Sequence, residues 1–561
     1  MEERAIITDR GYAVVDLFAG PGGLAEGFSA VRAADGERAF RIALSVEMDP
    51  AAHSTLLLRS FLRQFPDKLP AEYYDFLNAG AAEPDWSDLF PQEWEAATDE
   101  ALLLTLGQAE TATIVDAKLE AIRKEYGGNT ILIGGPPCQA YSLVGRARNQ
   151  GKDGYVAESD HRHRLYEEYV RILEQLRPAA FVMENVKGML SSSLDGSRIF
   201  ERVLDDLRGA GGPDSYTLVA LSPDRSGKHN TSPASSDFVI RTEDYGVPQA
   251  RHRVIVVGIR KDVHAGLGQA ACETLRLDRR DRRTTVRDVI GDMPALRSGL
   301  SRKPDNIDDW KKAVLDGADR LQNADAGMDR KAGLAFRKRL AECRKSVMAT
   351  TATLTRKATG PVRIAKTCPA DLREWIVDPA ISALSSHETR GHMASDLSRY
   401  LFAAIHGEVT GKSPKSGDFP DALAPDHRNW NSGKFADRFR VQLYDNPSTT
   451  ITSHISKDGH YFIHPDANQC RSLTVREAAR LQTFPDNYFF KGNRTQQFVQ
   501  VGNAVPPFIA KQIGEVLHSV LAEGSRDNQS CYSNGLELPG KNAARLGTSE
   551  SDVAQFELDP L

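Results

Sequence analysis

The sequence predicts an α/β protein in which a Rossmann-like sheet is joined to a second, smaller and irregular domain. Apolar, β-favouring segments alternate with helix-like segments up to about residue 260, and the alternation returns near residue 446. Between these points the pattern breaks down into short helical patches and segments rich in Gly, Pro and Asp. We therefore predict a first domain over 1–260 (with an insertion at about 60–105) and 446–524, a second domain over 261–445, and a disordered tail over 525–561.

The composition is that of a globular protein with a large core. Of the 561 residues, 40% are hydrophobic and 26% charged, and the six cysteines lack the paired spacing of disulfide or zinc sites. The first residues show no basic region followed by an apolar run, and no apolar segment reaches the ~18 residues of a membrane span. These features predict a cytoplasmic protein with no bound metal and no membrane contact. We also expect it to be a monomer.

Basic residues are concentrated in the middle of a chain whose net charge is −5. From Asp329 to Lys366 there are eleven Lys/Arg and two acids, and from Arg276 to Arg287 there are six Arg and two Asp. Such runs are as often solvated helical faces as binding surfaces. Their confinement to one region favours a phosphate-binding surface.

The first predicted strand, Tyr12 to Phe18, runs into a glycine-rich turn. Gly20, Gly22 and Ala25 match the G-x-G-x-x-G/A spacing after a strand and before a helix. Glycine lets the backbone approach a ligand closely, and the helix N-terminus favours anionic or polar groups. NAD, FAD and S-adenosylmethionine sites share this spacing, and a plain tight turn also satisfies it, so the loop alone leaves the ligand open.

The second predicted strand, Arg41 to Val46, ends at Glu47. An acid at this strand end is where a ribose hydroxyl pair is bound in such folds, whereas Asp49 is better suited to cap the following helix. Met48 can lie against an adenine ring or belong to the core. After an irregular insertion, a third strand is predicted over Ala101 to Gly107.

Two further predicted strands end in residues that can take part in chemistry. Ile131 to Ile133 leads into Gly-Gly-Pro-Pro-Cys-Gln, a stiff loop that presents Cys138 as a nucleophile. Ala179 to Met183 leads into Glu184, whose carboxyl group can hold or donate a proton at the same edge of the sheet. A lone cysteine or a strand-end glutamate is more often structural than catalytic, but the rigid Pro-Pro approach reverses this expectation for Cys138.

Arginines and turn signals mark the rest of the predicted α/β domain. Arg251 and Arg253, two apart at the predicted strand Val254 to Gly258, are expected to share one face and to converge on a carboxylate or a base. Further along the chain we predict a hairpin of 447–454 and 459–463, a helix that opens with a capping box at 474–477, and a last helix over 508–522.

Six motifs in this order resemble those of the bacterial DNA cytosine-5 methyltransferase family. They are Asp-Leu-Phe-Ala-Gly-x-Gly-Gly at 16–23, Pro-Pro-Cys-Gln at 136–139, Glu-Asn-Val at 184–186, Gln-x-Arg-x-Arg at 249–253, Arg-x-Leu-Thr-x-Arg-Glu-x-Ala-Arg-x-Gln-x-Phe-Pro at 471–485 and Gly-Asn-Ala-Val-Pro-Pro at 502–507. The resemblance covers about 13–260 and 445–522. It implies an S-adenosylmethionine-dependent methyltransferase sheet and, over 261–445, a target-recognition domain.

The resemblance also implies a role for each site residue. Cys138 would add to C6 of a cytosine flipped out of the duplex, Glu184 would serve N3, and Arg251 and Arg253 would stabilise the ring anion. The cofactor S-adenosylmethionine would be held by Phe18, Ala19, Gly20, Gly22, Gly23, Leu24, Glu47, Met48, Pro136, Asn503, Ala504 and Val505.

The partners implied are double-stranded DNA and, in a restriction-modification system, a cognate restriction endonuclease that acts separately. On DNA the enzyme would be associated with the nucleoid. A cytosine-5 methyltransferase of transfer RNA, a catalytically inactive DNA-binding relic and a Rossmann oxidoreductase remain as alternatives. The long basic middle domain favours duplex DNA, the intact Cys138, Glu184 and Arg253 speak against a relic, and an oxidoreductase gives Pro-Pro-Cys-Gln no role.

Overall fold

A computed structural model describes residues 11–137, 161–194, 197–223, 233–322, 328–358, 360–426, 430 and 436–533. Within these ranges the strands are β1 Tyr12–Leu17, β2 Phe40–Glu47, β3 Ala101–Leu103, β4 Thr130–Gly134, β5 Ala180–Val186, β6 Ser193–Leu194, β7 Ser197–Arg198, β8 Tyr216–Val219, β9 Val239–Arg241, β10 Gln249–Ala250, β11 His252–Arg260, β12 Gly299–Leu300, β13 Gly391–His392 and β14 Ser448–Thr449.

The α-helices of the described residues are α1 Gly23–Ser29, α2 Pro50–Arg63, α3 Ala71–Ala79, α4 Trp86–Leu89, α5 Pro91–Glu100, α6 Ala109–Tyr126, α7 His161–Leu176, α8 Ile199–Gly209, α9 Lys261–Ala265, α10 Gln269–Thr274, α11 Val286–Ile290, α12 Ile307–Gln322, α13 Arg330–Ala349, α14 Ala370–Ile376, α15 Ala394–Thr410, α16 Val475–Leu481, α17 Arg494–Asn503 and α18 Pro507–Ser533. Several 3-10 helices join them.

The main sheet of the described residues has eight strands in the order β3-β2-β1-β4-β5-β11-β8, with β9 also paired to β11. Strands β1 to β5 are parallel to one another, and β11 is antiparallel to β5. The strand order reverses between β1 and β4, and in such sheets a crevice opens there beyond the carboxyl ends of the strands. The predicted α/β fold is confirmed.

Alternating apolar residues cover both faces of this sheet. Val14 and Ile131 belong to a cluster that also contains apolar residues of α1 and α18, while Val15 and Leu132 belong to a second cluster with residues of α6 and α7. Buried strands of this kind are apolar on both faces, which explains their β-branched, nearly uncharged sequences. Asp16 is the exception, because it is a fully buried acid in β1.

The third strand is shorter than predicted. It spans Ala101–Leu103 rather than 101–107, and pairs in parallel with the end of β2. The Leu104 amide donates to the Glu47 carbonyl at 3.1 Å. Because β2 ends at Glu47, the residues after Leu104 have no strand to pair with on this side. The chain then turns at Gly107, which has a positive φ of 83°.

The predicted hairpin at 447–454 and 459–463 is wrong. Ser448–Thr449 instead forms a short parallel pair with Gln249–Ala250, and Ser453–Ser456 is a 3-10 helix. The Gln249 side chain also accepts a hydrogen bond from the Ile451 amide at 2.7 Å. The backbone of this segment therefore finds its partners in a distant part of the sequence and not in a neighbouring strand.

Helices α12, α13 and α15 of the middle region pack around an apolar core of their own. This core includes Trp310, Phe336, Leu340, Tyr400 and Phe402. By contrast, α10, α11 and α14, which lie in the same predicted domain, contribute buried residues to the cluster on the main sheet. The middle region thus combines a separate helical core with segments that pack against the α/β body.

The predicted insertion after α2 forms three short helices around an aromatic cluster. Phe61, Tyr73 and Trp86 lie at its centre. The Tyr73 hydroxyl donates to the Asn487 carbonyl at 2.7 Å. The insertion therefore packs against the segment that follows α16.

The C-terminal helices begin where local signals place them. The Thr474 hydroxyl accepts from the Glu477 amide at 3.2 Å and the Glu477 carboxylate accepts from the Thr474 amide at 2.8 Å, so the predicted capping box is confirmed. The last helix runs to Ser533, so residues 525–533 are helical where a tail was predicted. No helix in the described ranges is long and apolar enough to span a bilayer.

Candidate active site

A cleft of about 490 Å³ lies beyond the carboxyl ends of β1, β2, β4 and β5. Most of the predicted site residues line it: Phe18, Ala19, Gly20, Gly23, Leu24, Glu47, Met48, Pro136, Glu184, Arg251, Arg253, Asn503, Ala504 and Val505. Gly22 is not among the lining residues, and Cys138 lies outside the described residues. The fold therefore brings together segments from both ends of the sequence.

The glycine-rich turn after β1 forms one wall of the cleft. Phe18, Gly20 and Gly22 have positive φ angles of 57°, 58° and 97°, and for an aromatic residue such as Phe18 this conformation is strained. A Cβ placed on Gly20 would meet no atom within 4 Å, so the backbone there is open to a ligand. Gly22 instead faces inward, where a Cβ would lie 3.0 Å from Leu56 Cδ1.

The Glu47 carboxylate lies beside this turn. One oxygen accepts from the Gly20 amide at 2.7 Å, and the other from the amides of Asp49 at 2.7 Å and Met48 at 2.9 Å. Burial raises the pKa of the Glu47 carboxyl above its ordinary value, although the three amides act in the opposite direction. The adjacent Met48 side chain is 59% exposed at the cleft. A carboxylate beside an exposed apolar side chain suits a nucleoside ligand, which offers ribose hydroxyls and an apolar base face.

An ion pair between Glu184 and Arg253 forms the opposite wall. Arg253 Nε lies 2.8 Å from Glu184 Oε1, and both side chains are largely buried. The carboxylate also adjoins the loop after β4, since a Cβ on Gly135 would lie 3.1 Å from Glu184 Oε2. An arginine held on a carboxylate in a shielded cleft is a fixed donor that can act on charge developing in a ligand.

Asn185 fixes the loop that leads to Cys138. Its buried Nδ2 donates to the Pro136 carbonyl at 2.9 Å. Its Oδ1 accepts from the Val186 amide at 2.8 Å. Sequence reasoning assigned no site role to this residue, although its place directly after Glu184 was a usable signal. The contact ties the Pro-Pro segment to the strand that carries Glu184.

Arg251 does not join the ion pair, and the expectation that both arginines converge on a carboxylate is wrong for this residue. Its buried guanidinium donates to the carbonyls of Ile451 at 2.8 Å, Gly502 at 3.3 Å and Asn503 at 3.4 Å. Arg251 precedes β11 and lies between two strands, so the alternation of a regular strand does not hold across it. Burial, with a smaller effect of Arg253, lowers the pKa of Arg251 to about 9.

The segment Asn503 to Val505 packs directly on the glycine-rich turn. A Cβ on Gly23 would lie only 2.3 Å from the Val505 carbonyl oxygen, so no larger residue fits there without a shift of the backbone. The side chain of Gln482, which sequence reasoning did not select, donates to the Val501 carbonyl at 2.6 Å. Gln249 in turn donates to the Gln482 side chain at 2.9 Å. Buried amides therefore hold the C-terminal wall of the cleft in place.

Most of the chain matches one known protein family. The model of the family described as C-5 cytosine-specific DNA methylase matches residues 94–519, about three quarters of the chain. The chain belongs to this family. The methylase is 31% identical over 524 residues to the Type II methyltransferase M.Bpa9945I of Bacillus paralicheniformis, covering 91% of this chain and 99% of that protein.

Two other proteins are similar to this chain, one in sequence and one in fold. The DNA (cytosine-5-)-methyltransferase M.ApeKI of Aeropyrum pernix is 28% identical over 407 residues, which are 70% of this chain and 81% of that protein. The crystal structure of a prophage-encoded DNA modification methyltransferase of E. coli superposes with a TM-score of 0.51 at 18% identity, covering 91% of this chain and 100% of that one. The structural similarity supports the fold of the methylase.

Proposed function

We propose that this methylase transfers a methyl group from S-adenosylmethionine to C5 of a cytosine flipped out of a specific sequence in duplex DNA. The observation that carries the proposal is the Glu184–Arg253 ion pair, which shares one cleft with the glycine-rich turn and Glu47. A cleft of this kind can hold a nucleoside-bearing methyl donor on one wall and a planar, polar base on the other. The family assignment supports cytosine as that base.

The residues of the turn and of the C-terminal wall would hold the cofactor. Glu47 would accept hydrogen bonds from the ribose hydroxyls, and the exposed Met48 side chain would lie against the adenine. The open backbone at Gly20 and the segment Asn503 to Val505 would enclose the rest. When bound, S-adenosylmethionine supplies the electrophilic sulfonium methyl group that C5 accepts.

The opposite wall would act on the cytosine. We assign Cys138, in the loop after Pro137, as the nucleophile that adds to C6 and makes C5 electron-rich. A proton shared between Glu184 and N3 would offset the negative charge that develops on the ring, and Arg253 beside Glu184 would stabilise the same charge. Once C5 carries the methyl group, release of the C5 proton to solvent would restore the C5–C6 double bond and expel the Cys138 thiolate, and N3 would return its proton to Glu184. Arg251, bound to backbone carbonyls, would position the Asn503 segment and not touch the base.

We propose that residues 1–260 and 446–524 form the catalytic domain and that 261–445 form the target-recognition domain. The second assignment is supported by helices α12, α13 and α15, because they pack around a core of their own that is separate from the two cores on the main sheet. The relatives named Type II methyltransferases support protective methylation in a restriction-modification system, with a separate endonuclease as partner. We further propose that the enzyme acts as a cytoplasmic monomer on nucleoid DNA.

A methyl-transfer assay tests the proposed function. The purified protein is incubated with radiolabelled S-adenosylmethionine and duplex DNA of the host genome from a strain that lacks the gene. We expect label in 5-methylcytosine, and bisulfite sequencing should show methylation confined to one short sequence. Label in adenine, or in transfer RNA but not DNA, would contradict the proposal. Cys138→Ala is the matched control, which should bind S-adenosylmethionine normally and transfer no label.

A further inference from the structure

The outer face of α13 carries three rows of residues that repeat every seven positions. Arg330, Arg337 and Arg344 form one row, and Lys331, Lys338 and Lys345 form another. Between them lie Leu334, Ala341 and Met348. At ~100° of rotation per residue, a spacing of seven keeps each row on nearly one line along the helix. The helix therefore presents an apolar row flanked by an arginine row and a lysine row.

Except for Arg344, which is half-buried beside Asp319, this face is free of packing within the described structure. The opposite side of α13 contributes Phe336, Leu340, Cys343 and Val347 to the helical core. On the outer face, by contrast, Leu334 is 67% exposed and Met348 is 61% exposed. Single exposed apolar side chains are common on protein surfaces, but here they lie in line between two rows of cations, which is an arrangement that suits a polyanionic partner.

The cations of this face are mostly uncompensated. Of the seven Lys/Arg of α13, Arg339 pairs with Glu408 at 2.9 Å and Arg344 with Asp319 at 3.0 Å. Within the described parts of the chain, the other five have no ion-pair partner. These five are Arg330, Lys331, Arg337, Lys338 and Lys345.

The second basic run, 276–287, differs in this respect. Among the described residues, five of its six arginines are paired with acids outside or within the run: Arg276 with Asp278, Arg280 with Asp371, Arg282 with Asp288, Arg283 with Asp244 and Arg287 with Asp445. Its charge is used to join segments of the chain. The sequence made both runs phosphate-binding candidates. Among the described residues, the ion pairs leave several free cations on α13 and few in the 276–287 run.

We propose that α13 lies in the major groove of duplex DNA, with the lysine and arginine rows on the phosphates of the two strands and the apolar row facing the base edges. An α-helix with its side chains is about 10–12 Å across. The major groove is ~12 Å wide and displays the thymine methyl group for apolar contact. This inference rests on the proposed function, since it assigns the surface through which the methylase reads its substrate.

The salt dependence of DNA binding tests the phosphate contacts. K331Q/K338Q/K345Q removes the lysine row, and R280Q/R283Q/R287Q removes the same number of charges from the paired run. Affinity for a fluorescent duplex oligonucleotide is measured from about 50 to 200 mM salt with each full-length variant. We expect the slope of log Kd against log salt to fall by about 2–3 for the lysine variant. The control should change it by less than ~1, and equal slopes in all three proteins would overturn the proposal.

The apolar row has a separate test. Once bisulfite sequencing has defined the target, the L334A/M348A variant is compared with the unmodified protein on target and scrambled duplexes. We expect about a tenfold loss of preference for the target, with little change on the scrambled duplex. If instead the unmodified protein is a dimer in sedimentation and L334A/M348A is a monomer, the row is a self-association seam and the groove assignment is wrong.

The outcomes separate this inference from the proposed function. If the unmodified protein neither binds duplex DNA nor labels cytosine, the proposed function itself fails. If it does both and the lysine variant keeps the full salt slope, only the assignment of α13 fails. Glutamine is a good helix former, so the variants should keep the α-helical circular dichroism of the parent, which is checked first.

Discussion

Arg251 and Arg253 have different surroundings although they are two positions apart, and this predicts different defects. Arg253→Gln removes the donor beside Glu184 and should lower kcat by about 10²–10³-fold, while S-adenosylmethionine binding is retained. Arg251→Gln leaves the carbonyls of Ile451 and Gly502 without their buried partner, so it should weaken cofactor binding and lower the Tm. The difference between the two variants is checked by steady-state kinetics, calorimetry and thermal melts. The same set of defects in both variants would contradict the prediction.

Asp16 predicts a loss of stability as the pH rises from about 4 to about 8. Burial raises the pKa of this carboxyl to about 8, from an ordinary value of 3.8. An acid with a raised folded-state pKa contributes its full stability below the unfolded pKa and loses it progressively as the pH rises from the unfolded to the folded value. The free energy of unfolding of the methylase should therefore fall between about pH 4 and pH 8, and Asp16 should cause no further fall above pH 8.

The Asp16→Asn variant is the matched control for this effect. Its neutral amide has nearly the shape of the protonated carboxyl, so its Tm should vary less between about pH 4 and pH 8 and should exceed that of the parent at the upper end of this range. Chemical denaturation at several pH values measures the difference. Parallel pH curves for the two proteins would show that Asp16 does not bind the proton.

At the scale of elements, the contact between the glycine-rich turn and the C-terminal segment predicts the effect of one methyl group. Gly23→Ala places a Cβ against the Val505 carbonyl, a backbone atom that cannot swing aside. We expect a loss of about 1–3 kcal/mol in the free energy of unfolding and weaker cofactor binding. Gly209→Ala is the control, because a Cβ there meets no atom within 4 Å, and it should leave both quantities nearly unchanged.

Elements that end in a local signal could be predicted from the sequence. The strands that carry Glu47 and Glu184 begin as short apolar runs, and the helix after Thr474 opens with a capping box. The end of β5 was less well predicted, because this strand continues past Glu184 to Val186. The helix α17 was missed although Asn493 and Gln496 form the same kind of box at its start. Gly492 and Asn493 stand together at the start of this segment, and clusters of Gly and Asn are typical of loops.

Elements that depend on distant partners could not be predicted. Ser448–Thr449 was expected in a hairpin, but its partner is Gln249–Ala250. Arg251 was placed beside Glu184 by strand alternation, but its guanidinium is held by carbonyls of residues that come about two hundred positions or more later. Periodicity reflects only the neighbours of a residue along the chain. It does not show which distant carbonyl group needs a hydrogen-bond donor.

At the scale of the whole molecule, buried histidines join the helical core to the α/β body. The Tyr400 hydroxyl lies 2.7 Å from His460 Nδ1 and 3.2 Å from His392 Nδ1, and His392 Nε2 lies 3.1 Å from Ser472 Oγ. His387 bridges Thr474 and the Pro294 carbonyl at 3.1 and 3.0 Å. Burial lowers the pKa of His387 to about 4 and that of His392 well below its ordinary value.

These histidines predict acid sensitivity of the junction. A histidine with a lowered folded-state pKa stabilises the protein above its unfolded pKa of ~6.5, and this stability is lost as the pH falls. The free energy of unfolding should therefore decline between pH 6.5 and about 4. His387→Gln, which keeps a donor and an acceptor, should flatten part of this decline in urea titrations. An unchanged decline would exclude His387 as a contributor.

The close seating of Gly23 on Val505 has a consequence for synthesis in the cell. The glycine-rich turn and the segment that covers it are far apart in the sequence, so the turn leaves the ribosome well before Val505 does. A nascent chain that has already exposed its first strand still lacks one side of its cleft until the final helices emerge. Chains that have not yet reached Val505 are therefore expected to lack a complete cleft.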